Sequence, residues 1–454
     1  TPGSVSQPFH TYSTVDYPTG YTGYIIFETI DLSNVVTCSI GTDVLPAPPS
    51  TLPANNPSNF SVSISGSEFT KLDSLEYSTL LNCHFSSTTL QLPRSLIIFG
   101  SRYTDVSGTT AQLPPTIRGL YLNYYNTLGG TVAQLPRTLE SIEINGNNNI
   151  SGNIGDIPPV NLPLLGLRSL TILGNNTITG NLNTIPGGAA SSPLTYFNLQ
   201  GGNTVFGDIA NLPCANLTLC SITGSTYVNG NLSNFNGNTD IVVIQFLGGG
   251  ALATTGNTIS GDLSELTGCT SLESVRITGE STNPATGNTI TGDLSDLPSS
   301  INDFVLSGKN TITGSLSSLS SLTALEYFVV TGDNTISGDI KDLPITTSFF
   351  GLEGDNIVNA YSVSKTWPNP MYNFRLRSNI VSPLALSTAD IDRLLIDLDT
   401  VSWSLYSPPQ TPGGVLQAKG ARTLTPSPSL TAYNSLNTKI VTGLSPYGTL
   451  TITP

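Results

Sequence analysis

The stretch "GNTITGDLSDLP", Gly287 to Pro298, decides how this chain folds. Close variants recur as "GNTISGDLSEL" from Gly256, "KNTITGSLSSL" from Lys309 and "DNTISGDIKDLP" from Asp333. Aligned on the turn glycine, the series runs Gly108, Gly130, Gly152, Gly180, Gly207, Gly230, Gly261, Gly292, Gly314 and Gly338, never closer than 22 residues. A constant floor with insertions marks a solenoid. One such unit cannot bury its own apolar face, so it needs a neighbour on each side.

A second element precedes each turn. "LESIEING", "LRSLTILG", "LESVRITG" and "LEYFVVTG" place Leu139, Ile142 and Ile144, then Leu167, Leu170 and Ile172, at matching positions. Leu272, Val275 and Ile277, and Leu325, Phe328 and Val330, follow suit. This L-x-x-L-x-L spacing predicts a short strand whose alternate residues face inward. The Ile and Leu of the quoted stretch return the chain across the same core. The pattern resembles a leucine-rich repeat, closest to the variety with an "L-[ST]-G-x-[LI]" segment after the strand, over about residues 70 to 380. That resemblance implies a right-handed repeat solenoid with parallel strands on one face and irregular or β return segments. About a dozen units at about 4.8 Å each would give a rod of about 60 Å. The family's Asn after the strand matches Asn147 and Asn175, but Gly202, Ser225 and Asp333 stand there elsewhere, so an incomplete Asn ladder is expected.

Two further columns stand out. Asn126, Asn148, Asn176, Asn203, Asn257, Asn288, Asn310 and Asn334 lie four residues before the turn glycine, where amides can bond backbone in each turn. Asn153, Asn181, Asp208, Asn231, Asp262, Asp293, Ser315 and Asp339 follow the glycine directly. Neighbouring carboxylates such as Asp262 and Asp293 have the chemistry to share a calcium ion. Asn and Ser interrupt the column and no second acid keeps a fixed spacing, so solvated turn residues are the reading, and no metal or cofactor is expected.

Only 10% of the 454 residues are charged and the net charge is −14, with 16 Lys plus Arg. Nucleic acid needs a basic stripe that this chain lacks. No apolar run reaches membrane-spanning length, so membrane insertion is not expected. The five cysteines, Cys38, Cys83, Cys214, Cys220 and Cys269, form no CxxC pair and read as buried thiols. No signal peptide is visible; the chain begins at Thr1, which implies a removed Met or leader.

The ends depart from the repeat, giving an expected division into a strand-rich, Pro-rich arm or cap (1–65), the solenoid (66–383) and an α/β C-terminal cap (384–454). "YTGYIIFETIDL" from Tyr21 reads as a strand and "DVLPAPPSTLPANNP" from Asp43 as a connector. Ile391, Leu394, Leu395 and Leu398 in "STADIDRLLIDLDTV" have helical spacing, with Ser387 or Thr388 as N-cap. "GGVLQAKG" from Gly413, "SPSLTAYNSLNTKI" from Ser427 and "GTLTITP" then read as strand, helix and strand. This order resembles the module that closes leucine-rich-repeat-like structural proteins of tailed-bacteriophage particles. The family's L-x-G is stretched here, from Leu416 to Gly420. The resemblance implies a virion structural protein, fibre or tail-associated, on the surface of an extracellular particle. Its implied partners are other virion proteins and a host-surface glycan or protein, with a homo-oligomer expected from fibre habit. A capsid decoration or head fibre without a ligand, and a bacterial cell-surface adhesin on the same repeats, are the alternatives.

Catalytic equipment is sparse. The only histidines are His10 and His84, and His84 adjoins Cys83 in a way that points neighbouring side chains apart. The outward middle position of each strand reads Tyr121, Glu143, Thr171, Asn198, Ser221, Gln245, Arg276, Val305, Val329, Gly351 and Arg375, with one acid. A non-enzymatic protein is expected. The candidate binding surface joins Tyr121, Tyr124 and Tyr125 to the paired insertions "GGGALATT" and "GESTNPAT", represented by Leu252, Thr254, Glu280 and Asn283. "VNLPLLG" and "GGAASSP" form a second insertion pair, before the strand. A polar residue at Leu170 or Phe328 is expected to cost several kcal/mol. Thermal denaturation of Leu170→Asn checks this, and an unchanged Tm would refute the repeat register.

Overall fold

The computed structural model describes residues 37–40, 64–65, 77–81, 85–89, 92–102, 105–158, 166–185, 193–224, 226–248, 256–279, 287–378, 386–403, 413–416, 430–436 and 451–452. Among these, sixteen strands from Thr37–Ile40 to Thr451–Ile452 pair in parallel, coil to coil, into one sheet. Thirteen form a second parallel sheet from Ile64–Ser65 to Ile357–Ala360. Three long strands, Gly119–Thr131, Ser169–Asn181 and Asp303–Ser315, run through both. A short 3-10 turn such as Leu294–Asp296 forms the third side of each coil. Pairing in the first sheet thus reaches beyond residues 70 to 380 in both directions.

The inward residues are those the spacing predicts. Ile142, Ile144, Ile172, Ile277, Phe328 and Val330 are fully buried, and Leu170 and Val275 nearly so. The first sheet stacks equivalent positions without offset, so Phe304, Phe328, Phe350 and Phe374 lie over one another at 5.9, 6.0 and 5.3 Å between ring centroids. Each step adds a ring pair to the apolar burial. Cys214, Cys220 and Cys269 are also core residues. Burial pushes the Cys214 thiol up to about 12 and raises those of Cys220 and Cys269.

A ladder of side-chain amides joins the coils. Val106, Leu128, Ile150, Ile178, Val228, Ile259, Ile290, Ile312 and Ile336 donate their backbone N–H to Oδ1 of Asn126, Asn148, Asn176, Asn203, Asn257, Asn288, Asn310, Asn334 and Asn356, at 2.9–3.2 Å. Each Asn serves the coil before its own. Several also donate from Nδ2 to a carbonyl, as Asn288 does to Ser307 O at 2.9 Å. The expected incomplete ladder is therefore corrected. Asn147, Asn175, Gly202 and Asp333 are exposed, and the buried rung sits one residue later. Among the described residues from Asn126 to Asn356, Thr226 stands in place of an amide, and its hydroxyl donates to Asn257 Oδ1 at 3.2 Å.

The second sheet is offset. Gly180 pairs with Val205, Gly261 with Ile290, Gly292 with Ile312 and Gly314 with Ile336, a two-residue slip at each step. Equivalent residues on this face are then about 8 Å apart, against about 4.8 Å on the unslipped face. Pure translation cannot give two different advances, so successive coils are rotated as well as translated, and the simple rod is corrected to a turning stack. The slip also explains the turn glycines. Gly180 has φ +113°, and a Cβ there would lie 2.3 Å from Asn153 Oδ1 of the preceding coil. Only glycine tolerates both the conformation and the approach.

The column after the turn glycine caps the 3-10 turns. Asn153, Asn181, Asp208, Asn231, Asp262, Asp293, Ser315 and Asp339 each accept the N–H two residues on, at 2.8–3.2 Å. Thr291 Oγ1 of the next coil also donates to Asp262 Oδ2 at 2.8 Å. At the C-terminal end, helix Thr388–Asp399 is capped by Ser387 and buries Ile391, Leu394, Leu395 and Leu398, as its spacing predicts. Tyr361 Oη donates to Asp397 Oδ2 at 2.6 Å and ties this helix to the stack. The strand from Tyr21, the connector from Asp43, His10, Cys83 and His84 lie outside the described residues.

Two outcomes follow from these bonds. Asn176→Ala strands the buried N–H of Ile150 and should cost about 1–3 kcal/mol, whereas the exposed neighbour Asn175→Ala should be silent; chemical denaturation separates the two. Hydrogen bonds from Ser264 and Ser295 hold the Asp262 and Asp293 carboxyls below their usual range. A depressed carboxyl stabilises the fold above its unfolded pKa of about 3.9, and that contribution is lost as pH falls through the folded value. Asn caps identically at Asn153 and Asn181. The Asp262→Asn/Asp293→Asn variant should therefore show a flatter Tm profile below about pH 4 than the parent.

Candidate binding surface

Strand alternation leaves one side of the first sheet facing outward. Its middle file is the one the spacing predicts: Tyr121 pairs with Glu143, Glu143 with Thr171, Thr171 with Asn198, and so on through Arg276 and Val305 to Arg375. The file beside it was not singled out from sequence. There Ile98, Gly119, Ser141, Ser169 and Tyr196 lie side by side.

Three small residues between two large ones make a trough of about 600 Å³. Gly119, Ser141 and Ser169 form its floor, with Ile98 and Tyr196 at its two ends. The Tyr121 ring leans over Gly119, where a Cβ would lie 3.0 Å from Tyr121 Cε2. Arg118, Glu140, Arg168 and Thr195 line one side, just before their strands begin. Arg118 and Glu140 are ion-paired, while Arg168 is exposed. Tyr196 is 43% exposed, unusual for so large a ring on this face. A floor of hydroxyls, two phenol rings and a few charges suits a polar ligand with an apolar edge.

Farther along, Arg276, Asn302, Asp303, Glu326, Tyr327 and Thr346 line a smaller hollow of about 330 Å³. Asp303 Oδ2 accepts from Ser274 Oγ at 3.1 Å and is ion-paired with Arg276. Burial raises the Asp303 carboxyl, against the opposing pull of Arg276. The Arg276 guanidinium also lies over the Tyr327 ring, which stacks on Phe349 at 4.9 Å. The face thus carries more acids than the single one in its middle file. Asp303 and Glu326 were missed because they stand in the strand's first position and just before it.

Of the sequence-selected residues, Tyr121 lies in the trough, half-buried. Tyr124 and Tyr125 belong to strand Gly119–Thr131, but their side chains lie outside the described residues, as do Leu252, Thr254, Glu280 and Asn283. The insertions that carry those four leave the stack from Gly248 and Gly279, which are paired neighbours in the first sheet. Among the described residues no cluster of three or more His, Cys, Asp and Glu could hold a metal ion, and no helix is long and apolar enough to cross a membrane.

Coils of strand, buried Asn, second strand and 3-10 turn, stacked in parallel, define a leucine-rich-repeat-like solenoid. No protein-family model and no curated protein matches the chain. Among solved structures it is similar to the PEPR1–AtPEP1 complex, at 18% identity and TM-score 0.44 over 79% of this chain and 58% of that one. It is also similar to the LRR ectodomain of the Arabidopsis receptor kinase HAESA, at 18% and 0.44, over 71% of this chain and 65% of that one. A Leptospira interrogans LRR protein stands at 14% and 0.40, over 77% and 85%. The likeness is one of fold.

Proposed function

We propose that this chain is a non-enzymatic virion protein of a tailed bacteriophage, fibre or tail-associated, that recognises the host surface. The trough between Ile98 and Tyr196 carries the reading: it is a preformed recess of mixed polar and apolar lining with an exposed aromatic ring at one end. The order of the C-terminal elements supports the particle assignment: helix Thr388–Asp399, strand Gly413–Leu416, helical residues 430–436 and strand Thr451–Ile452. The proposed organisation keeps 1–65 and 384–454 as end pieces around the 66–383 array. Other virion proteins hold it in the particle, and the chain works as a homo-oligomer. The paired insertions after Gly248 and Gly279 supply a second contact.

Labelled protein incubated with intact host cells tests this. Ser169→Tyr fills the trough without removing anything, and a second variant shortens Gly248–Thr255 and Gly279–Thr286. Saturable binding weakened about tenfold or more by Ser169→Tyr supports the trough, as expected for a blocked central contact. Loss only in the shortened variant moves the site to the insertions. No binding by a folded protein replaces recognition with the decoration or spacer reading. Antibody labelling of bacterial cells rather than particles would replace the phage reading with the adhesin one.

A further inference from the structure

Most outward positions of the second sheet carry small polar residues, and the exposed large apolar side chains there are Phe206, Tyr227 and, in the last described strand, Ile357. The position after the buried rung reads Thr127, Thr177, Thr204, Thr258, Thr289, Thr311 and Thr335, but Asn149, Tyr227 and Ile357 in the other coils. Two residues on, it reads Ser151, Thr179, Ser260, Thr291, Thr313 and Ser337, but Gly129, Phe206, Asn229 and Asn359 in the other coils, so Phe206 and Tyr227 are the two aromatic departures. By sequence these departures belong to different coils and different files. The two-residue slip brings them together, because Phe206 pairs directly with Tyr227. The rings are 43% and 37% exposed, so neither serves the core.

Polar groups frame this pair. Asp208 and Asn229 are the next outward residues on the same two strands and pair with one another. Asn229 Nδ2 donates to Asp208 Oδ2 at 3.0 Å. Asn181 pairs with Phe206 on the other flank. From Ser169 to Val275 the sequence contains no Lys or Arg, so nothing nearby would attract an anion.

We propose that Phe206 and Tyr227 form a second binding site, on the second sheet, for a neutral saccharide of a surface polysaccharide. The C–H face of a pyranose covers exposed aromatic carbon, while its hydroxyls meet the Asp208 carboxylate and the Asn181 and Asn229 amides. Absence of cations excludes uronate and sialate polymers as the preferred ligand. The site goes beyond the trough reading and does not depend on it.

Affinity electrophoresis of the full chain through gels containing laminarin, dextran or galactomannan, with alginate as the acidic counterpart, tests the proposal. Phe206→Thr and Tyr227→Thr install the residue common in neighbouring coils, so both variants should fold with the parent's Tm. At least one neutral polymer should retard the parent, and each variant should weaken that retardation about tenfold, as for loss of one stacked ring. Thr291→Ala, remote from the pair, should match the parent. No retardation by any neutral polymer, equal retardation of parent and both variants, or retardation by alginate alone overturns the site. Cell binding lost in Ser169→Tyr but kept in Phe206→Thr, alongside such a failure, would leave the trough reading standing.

Discussion

The structure depends on a backbone N–H that has nowhere else to go. Where each coil turns from the first sheet into the second, the inward residue's amide is buried and must be satisfied. It finds the Asn Oδ1 of the next coil, as Ile259 finds Asn288. The bond is intermolecular in character although the chain is one. Nine corners are completed this way by the coil that follows, so those coils each require a successor. That requirement, with apolar stacking, converts a short repeated phrase into a cooperative column. It also explains how insertions after Gly248 and Gly279 are accommodated: the adjoining corners still reach Asn257 and Asn288.

Much of this was legible in the sequence, and what failed did so for physical reasons. Ile142, Ile172, Ile277 and Val330 were placed inward by their period alone, because strand alternation leaves no other choice. The middle outward file from Tyr121 to Arg375 was legible for the same reason. The amide column from Asn126 to Asn334 was legible as a set of backbone-bonding side chains, but family spacing counted from the strand pointed to Asn147 and Asn175 as the ladder, whereas burial selects Asn148 and Asn176. The trough was missed because it arises from three small residues between two large ones across five successive coils, and smallness carries no motif. The pairing of Phe206 with Tyr227 was not readable at all, since a repeat alignment keeps equivalent positions together and lateral slip does not appear in it.

The cap column shows how one geometric task accepts several chemistries. Asn, Asp and Ser all accept the N–H two residues ahead, so the fold does not distinguish Asn153 from Asp293 or Ser315. The charge is then available for other uses, and the next coil's Thr291 and Thr313 bond the spare oxygens of Asp262 and Asp293. This gives the acids that recur in the column a role in the turn and toward the next coil. The same tolerance lets the outward surface vary while the corners remain constant.

The constant slip of the second sheet has a consequence for how such a chain changes in length. The slip recurs in the same sense from the pairing of Gly108 with Leu128 to that of Gly314 with Ile336, so coil number sets an angular phase as well as a reach. Duplicating or deleting one unit would swing whatever sits beyond it around the column, and the relative bearing of helix Thr388–Asp399 and strand Thr37–Ile40 would change with it. Two proteins built from the same repeated phrase but differing by a single coil would point their ends in different directions. For a molecule anchored at one end, the number of repeats is therefore a setting of aim.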